Sequence, residues 1–126
     1  MATVIRVNRQ RETIEVPDGM GGTALSWSVP TDDESIERMA AGMTLGFERM
    51  ERLSGMEASA TGPEEKARWK AAIADAQHEV IASIIGEDGY VALLAYIGDG
   101  APCDPVANVC NVGEVFAALA VWVYDH

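Results

Sequence analysis

The chain has 126 residues, 48% of them hydrophobic and 23% charged, which is enough apolar side chain for one domain with a single core. That balance argues against disorder, collagen-like repeats and disulfide-dense scaffolds. Twenty acidic residues against nine basic ones give a net charge of −11, unsuited to gripping a phosphate backbone or an anionic membrane surface.

The charge is unevenly spread. Residues 1–11 carry Arg6, Arg9 and Arg11 with no acid, a local +3. All nine bases lie before residue 71, whereas residues 71–126 hold eight acids and no Lys or Arg. That second stretch is also rich in Val, Ile, Leu and Ala, so it stays soluble while offering surface that can bury against something. A solvated acidic shell over an ordinary core is the simpler explanation. Residues 1–7 lack the apolar run and cleavage site of a signal peptide, and the most apolar stretch, Val115 to Tyr124, is shorter than a bilayer span. A soluble cytoplasmic protein is expected, with Cys103 and Cys110 kept as thiols and a single bridge as the alternative.

In chain order, Val4, Arg6 and Asn8 alternate with Ile5 and Val7, and Thr13 to Val16 alternates similarly across a polar Asn8–Arg11 turn. Two short strands, forming a hairpin, are predicted there. Pro17-Asp18-Gly19 breaks the run, Gly19, Gly21 and Gly22 make a flexible loop, and Leu25, Trp27 and Val29 mark a third strand. Thr31-Asp32-Asp33-Glu34 has the form of a capping box, followed by Ile36, Met39, Ala40, Met43, Phe47 and Met50 on one helical face as far as Leu53. Gly42 and Gly46 share a flank that lets a neighbouring helix come close. Ser54–Gly62 reads as a loop, and Thr61-Gly62-Pro63-Glu64 opens a second helix to Ile85 with the stripe Trp69, Ile73, Ala76, Val80, Ile84. Gly86 caps it, and Glu87-Asp88 starts a third helix bearing Tyr90, Leu93, Leu94 and Ile97. After a loop from Gly98 to Pro105, the box Asn111-Val112-Gly113-Glu114 opens a last helix to Tyr124. The fold class predicted is α+β, with two to three short N-terminal antiparallel strands over residues 1–30 and about four helices over 31–126, all in one domain.

No constellation specifies a reaction. The Asp18–Thr23 glycines lack the GK[ST] of a phosphate loop and the GxGxxG spacing of a dinucleotide loop. His78 falls opposite the Trp69–Ile84 stripe and is expected in solvent, away from either cysteine. His126, last in the sequence, is expected to be mobile. Two His and two Cys lack zinc-finger spacing, and Asp99–Asp104 lacks the ligands of a calcium loop, so neither a metal nor a cofactor is expected. Asp32-Asp33 and Glu87-Asp88 sit where helices begin and serve as caps.

Two apolar features point to partners. Met39, Met43 and Met50 line one face beside Phe47, and methionine is over-used on surfaces that take varied helices, although gap-filling in the core is the simpler role. In the last helix Val112, Val115, Phe116, Leu119 and Val123 form the core face, yet Val121 falls opposite, with Trp122 and Tyr124 flanking. A helix apolar nearly all round is buried in a larger core or touches another chain.

The order of an extended N-terminal piece, capped acidic helices, the run Ile84-Ile85-Gly86-Glu87-Asp88-Gly89-Tyr90 with Leu93-Leu94, and the terminal Glu114-Val115-Phe116-Ala117-Ala118-Leu119 resembles the tail assembly chaperones of long-tailed (siphovirus-type) bacteriophages and prophages, over residues 31–125. The resemblance implies a non-enzymatic protein of the host cytoplasm. It would bind and solubilise the long apolar helical tape measure protein, help recruit tail-tube subunits, self-associate, and be absent from the finished virion. A frameshift near the stop codon commonly extends such proteins. On this reading Met39, Met43, Val121, Trp122 and Tyr124 are the expected partner contacts, with no nucleic acid, membrane or cofactor involved. The competing expectation, from net charge alone, is an acidic DNA-mimic inhibitor of a nucleic-acid-binding enzyme. Its complex would fall apart steeply with salt, whereas an apolar one would not.

Overall fold

The computed structural model describes residues 2–5 and 10–126, and shows two antiparallel strands followed by four helices. Strand β1 (Arg11–Pro17) pairs with β2 (Thr23–Pro30), Ile14 opposite Trp27 and Val16 beside Leu25. A further bond from the Thr31 amide to the Gln10 carbonyl, 2.7 Å, extends the pairing past Arg11. This hairpin closes across residues 18–22, and the turn predicted over Asn8–Arg11 lies partly outside the described residues. Asp18 organises the connection by accepting from the Met20 and Gly22 amides at 2.7 and 3.0 Å, which holds its carboxyl below the usual carboxylate range. The segment expected to be flexible is a built turn. Residues 2–5 are not in a strand, and the remainder of the strand predicted over Val4–Val7 lies outside the described residues.

Alternation along the hairpin places Ile14, Val16, Leu25, Trp27 and the fully buried Val29 on one face, against the helices. Arg11, Thr13 and Glu15 face outward, where Arg11 bonds Ser28.

Helix α1 (Asp33–Ala58) begins one residue later than the Thr31 box implies. Asp32 is the cap, accepting from the Ser35 amide at 3.1 Å and the Ser35 hydroxyl at 2.7 Å. Those bonds, the side-chain one first, lower its carboxyl's pKa. Ser54 to Ala58, expected as loop, continues α1 for more than a turn and carries Met56 with it. The propensity cost of Ser54 and Gly55, together on the order of 1–2 kcal/mol, is small beside the packing of so long a helix along its neighbour.

Helix α2 (Pro63–Ile85) runs back along α1 and is the hub of the fold, since α1, α3, α4 and β2 all pack on it. Its cap position is Gly62 with Pro63 in the first turn, and Thr61 instead bonds the carboxylate of Glu65 at 3.4 Å. Helix α3 (Glu87–Ile97) departs at 118° from α2 through Gly86, whose φ of +84° a side chain would oppose. Helix α4 (Val109–Tyr124) starts before the Asn111 box and buries Val112, Phe116, Leu119, Ala120 and Val123. No single helix among the described residues is long and apolar enough to cross a membrane.

The close approach expected on the Gly42/Gly46 flank occurs at Gly46 alone, where an added Cβ would lie 2.8 Å from Val80 and 3.3 Å from the Phe116 ring. Gly42 has open space in front of it. The core gathers among the four helices, around Met43, Ile81, Leu93, Val112 and Phe116.

Candidate partner-binding surface

The five expected contact residues separate. Met39 and Met43 are 6% and 0% exposed. Helix α1 has one apolar stripe, and packing against α2 and α4 consumes its centre, so these two methionines are core and the expectation that they meet a partner is corrected. Trp122 is half-buried and packs against the core, and its indole N–H donates to Glu12 Oε2 at 3.2 Å. Val121 and Tyr124 stand on the surface at 63% and 51% exposure.

Val121 and Tyr124 belong to a larger apolar strip. Ala117, Val121 and Tyr124 recur at steps of four and three residues on the outer face of α4, and all three are exposed. Tyr124 reaches α1 through a 2.9 Å bond between its hydroxyl and that of Thr44. One turn along α1, Phe47 meets Phe116 edge to face with centroids 4.9 Å apart, yet remains 40% exposed. Phe47 and Tyr124 therefore stand where α1 and α4 meet, and Val121 and Ala117 continue the exposed apolar surface along α4. Phe47, expected as an ordinary stripe residue, was missed as surface because a helical wheel cannot show where the neighbouring helix stops.

A second feature was invisible in the sequence. The hairpin and α4 enclose a groove of about 240 Å³ lined mainly by Ile14, Val16, Trp27, Val115, Leu119 and Trp122, with Glu15 and Glu114 at its borders. A wider groove lined by Leu93, Tyr96, Ile97 and Asp99 adjoins it and shares Val16, Glu114 and Val115. The groove's far end is tied by the C-terminus. His126 Nδ1 lies 2.6 Å from the Trp122 carbonyl, and Nε2 lies 2.9 Å from Glu12 Oε2. His126, expected to be mobile, is placed by α4 against β1 through these two contacts.

The Trp122 carbonyl, and then Glu12, raise the His126 pKa above its usual 6.5. A pKa raised in the folded state adds stability in full below the unfolded value, and that contribution is lost as pH climbs through the folded one. Thermal midpoints are accordingly expected to fall between about pH 6.5 and the raised value. His126→Gln should flatten that slope, and an unchanged slope in the variant would show that the contact carries no such linkage.

His78, expected in solvent, is only partly so. Its ring stacks on buried Tyr90 with centroids 4.1 Å apart, and its Nε2 lies 2.8 Å from Glu87. Burial, with smaller contributions from nearby acidic groups, pushes the Tyr90 hydroxyl's pKa up. Both cysteines are free, Cys103 half-buried and Cys110 exposed. Among the described residues no three His, Cys, Asp or Glu side chains are placed to hold a metal ion together.

The described residues thus present an exposed apolar strip and an apolar groove bordered by two glutamates. No protein-family model, curated protein or solved structure matches the chain.

Proposed function

We propose that the protein is a non-enzymatic assembly chaperone of a phage tail, which binds and solubilises an apolar helical tape measure protein. The observation that carries this reading is the exposed apolar surface of Ala117, Val121 and Tyr124 on α4, joined by Phe47 of α1. An amphipathic helix laid along this surface would bury its apolar stripe against these side chains, as helix-in-groove binders do. The net charge of −11 keeps such a complex soluble while its apolar surfaces are engaged. The order of elements along the chain, set out above, also supports the reading.

The first experiment is to sequence the DNA flanking the coding region. A long downstream reading frame for an apolar helical protein supplies the partner for co-expression, and restriction or metabolic genes there would overturn the reading. With that partner in hand, Val121→Ser combined with Tyr124→Ser should weaken the complex about tenfold to a hundredfold, the range of central apolar contacts. Circular dichroism should be nearly unchanged, since the variant loses only one exposed hydrogen bond to Thr44. Binding that ignores this pair, or that collapses with added salt, would remove the strip from the mechanism and favour the acidic surface instead.

A further inference from the structure

We infer that the groove between β1 and α4 receives the N-terminal arm of a second copy of this chain. This goes beyond the chaperone reading and does not depend on it.

The receiving site is built from described residues. β1 pairs with β2 on one side, and among the described residues no strand lies along its other edge. Ile14, Glu15 and Val16 of β1 line the groove together with Trp27 of β2, so it lies under the helix-facing side of the hairpin and reaches β1's edge. An unpaired edge beside an apolar floor is the geometry in which an incoming strand gains backbone hydrogen bonds and side-chain burial together.

Charge selects the occupant. Glu15 and Glu114 stand at its borders, Asp99 lies in the adjoining groove, and the whole of residues 71–126 contains no Lys or Arg. The incoming strand should therefore combine apolar and basic residues and carry no acid. One segment of this chain has that composition: Val4, Ile5 and Val7 interleaved with Arg6 and Arg9, in a stretch with no acid. Val4 and Ile5 are 81% and 80% exposed and lie outside any strand, so their own β1 does not bury them.

In the exchanged dimer the arm's apolar residues are buried against the Val16–Leu119 floor. The arm's two arginines supply the positive charge that Glu15 and Glu114 of the receiving copy call for. The exchange is reciprocal, each copy giving an arm and receiving one, which closes the assembly at two.

Sedimentation velocity of the full chain over a wide dilution series tests this. The wild type should dimerise. Glu15→Lys with Glu114→Lys should weaken the dimer about tenfold or more, and so should Arg6→Glu with Arg9→Glu, because each turns two attractions into repulsions. An equimolar mixture of the two variants should restore a dimer, since each then offers the arm that the other's groove accepts. Far-UV spectra of both variants should match the wild type. Val121→Ser with Tyr124→Ser should leave the dimer intact, which separates this interface from the α1–α4 strip. A wild type that stays monomeric throughout, as it would if its own arm filled the groove, overturns the inference. Either charge variant dimerising as the wild type does, or a mixture that stays monomeric, also overturns it.

Discussion

Phe116→Ala is expected to lower the free energy of unfolding by about 3–5 kcal/mol, read from urea unfolding followed by circular dichroism. The ring is 2% exposed and sits where three helices converge. Phe47 of α1 abuts it at 85°, and Gly46 lies close enough that a single added Cβ would come within 3.3 Å of it. On the α2 side, Val80 approaches the same glycine. Truncation therefore removes apolar burial and also leaves a void that helix backbones already in close contact cannot collapse to fill. For a domain of this size the expected loss is a large fraction of a total on the order of 5–15 kcal/mol. Phe47→Ala supplies the comparison. Its ring is 40% exposed and rests on Phe116 from the outside, so about 1 kcal/mol is expected, near the worth of an aromatic pair with partial burial. Equal losses for the two variants would contradict the packing described for this seam.

The two phenylalanines also mark how far the amino-acid order reaches. Spacing along α4 assigns Phe116 to the core and Val121 to the opposite face, because one helix's periodicity is a local property. The ends of α3 and the strand over Leu25–Val29 are legible for the same reason. The boundary of α1 is not, since Ser54 and Gly55 carry the composition of a loop and are held helical by the length of helix packed on α2. Caps shift by a residue or more where two candidates compete. Asp32 takes the role from Thr31 because its carboxylate bonds both the amide and the hydroxyl of Ser35. Surface assignments fail where tertiary contacts decide them. The α1 stripe contains Met39, Met43 and Phe47 at helical spacing, and only the positions of α2 and α4 determine that the methionines are covered and Phe47 is half open. The groove is the extreme case. Its end is fixed by Trp122 and His126 meeting Glu12 across more than a hundred residues, a juxtaposition that no local pattern encodes.

Glycine gives the sharpest test of this distinction between composition and conformation. Neither Gly55 nor Gly86 has any atom within 4 Å of where a Cβ would stand, so alanine at either position meets open space. The expected outcomes nevertheless have opposite signs. Gly55 lies inside α1 on its exposed side, where alanine removes chain entropy from the unfolded state and adds about 0.5–1 kcal/mol of stability. Gly86 has φ of +84° and ψ of 163°, a region that L side chains scarcely enter, and alanine there is expected to cost about 1–3 kcal/mol. The chain does not readily relieve that strain elsewhere. The Gly86 amide donates to the Ala82 carbonyl at 2.9 Å, and its carbonyl accepts from the Tyr90 amide at 3.0 Å. One residue thus ends α2 and begins α3, and rotating it to a negative φ would swing α3 out of its 118° bend and withdraw Tyr90, Leu93 and Leu94 from the core. Urea midpoints of the two variants, measured side by side, should move in opposite directions from the wild type. If Gly86→Ala proves as stable as Gly55→Ala, the turn between α2 and α3 does not hold the conformation described here.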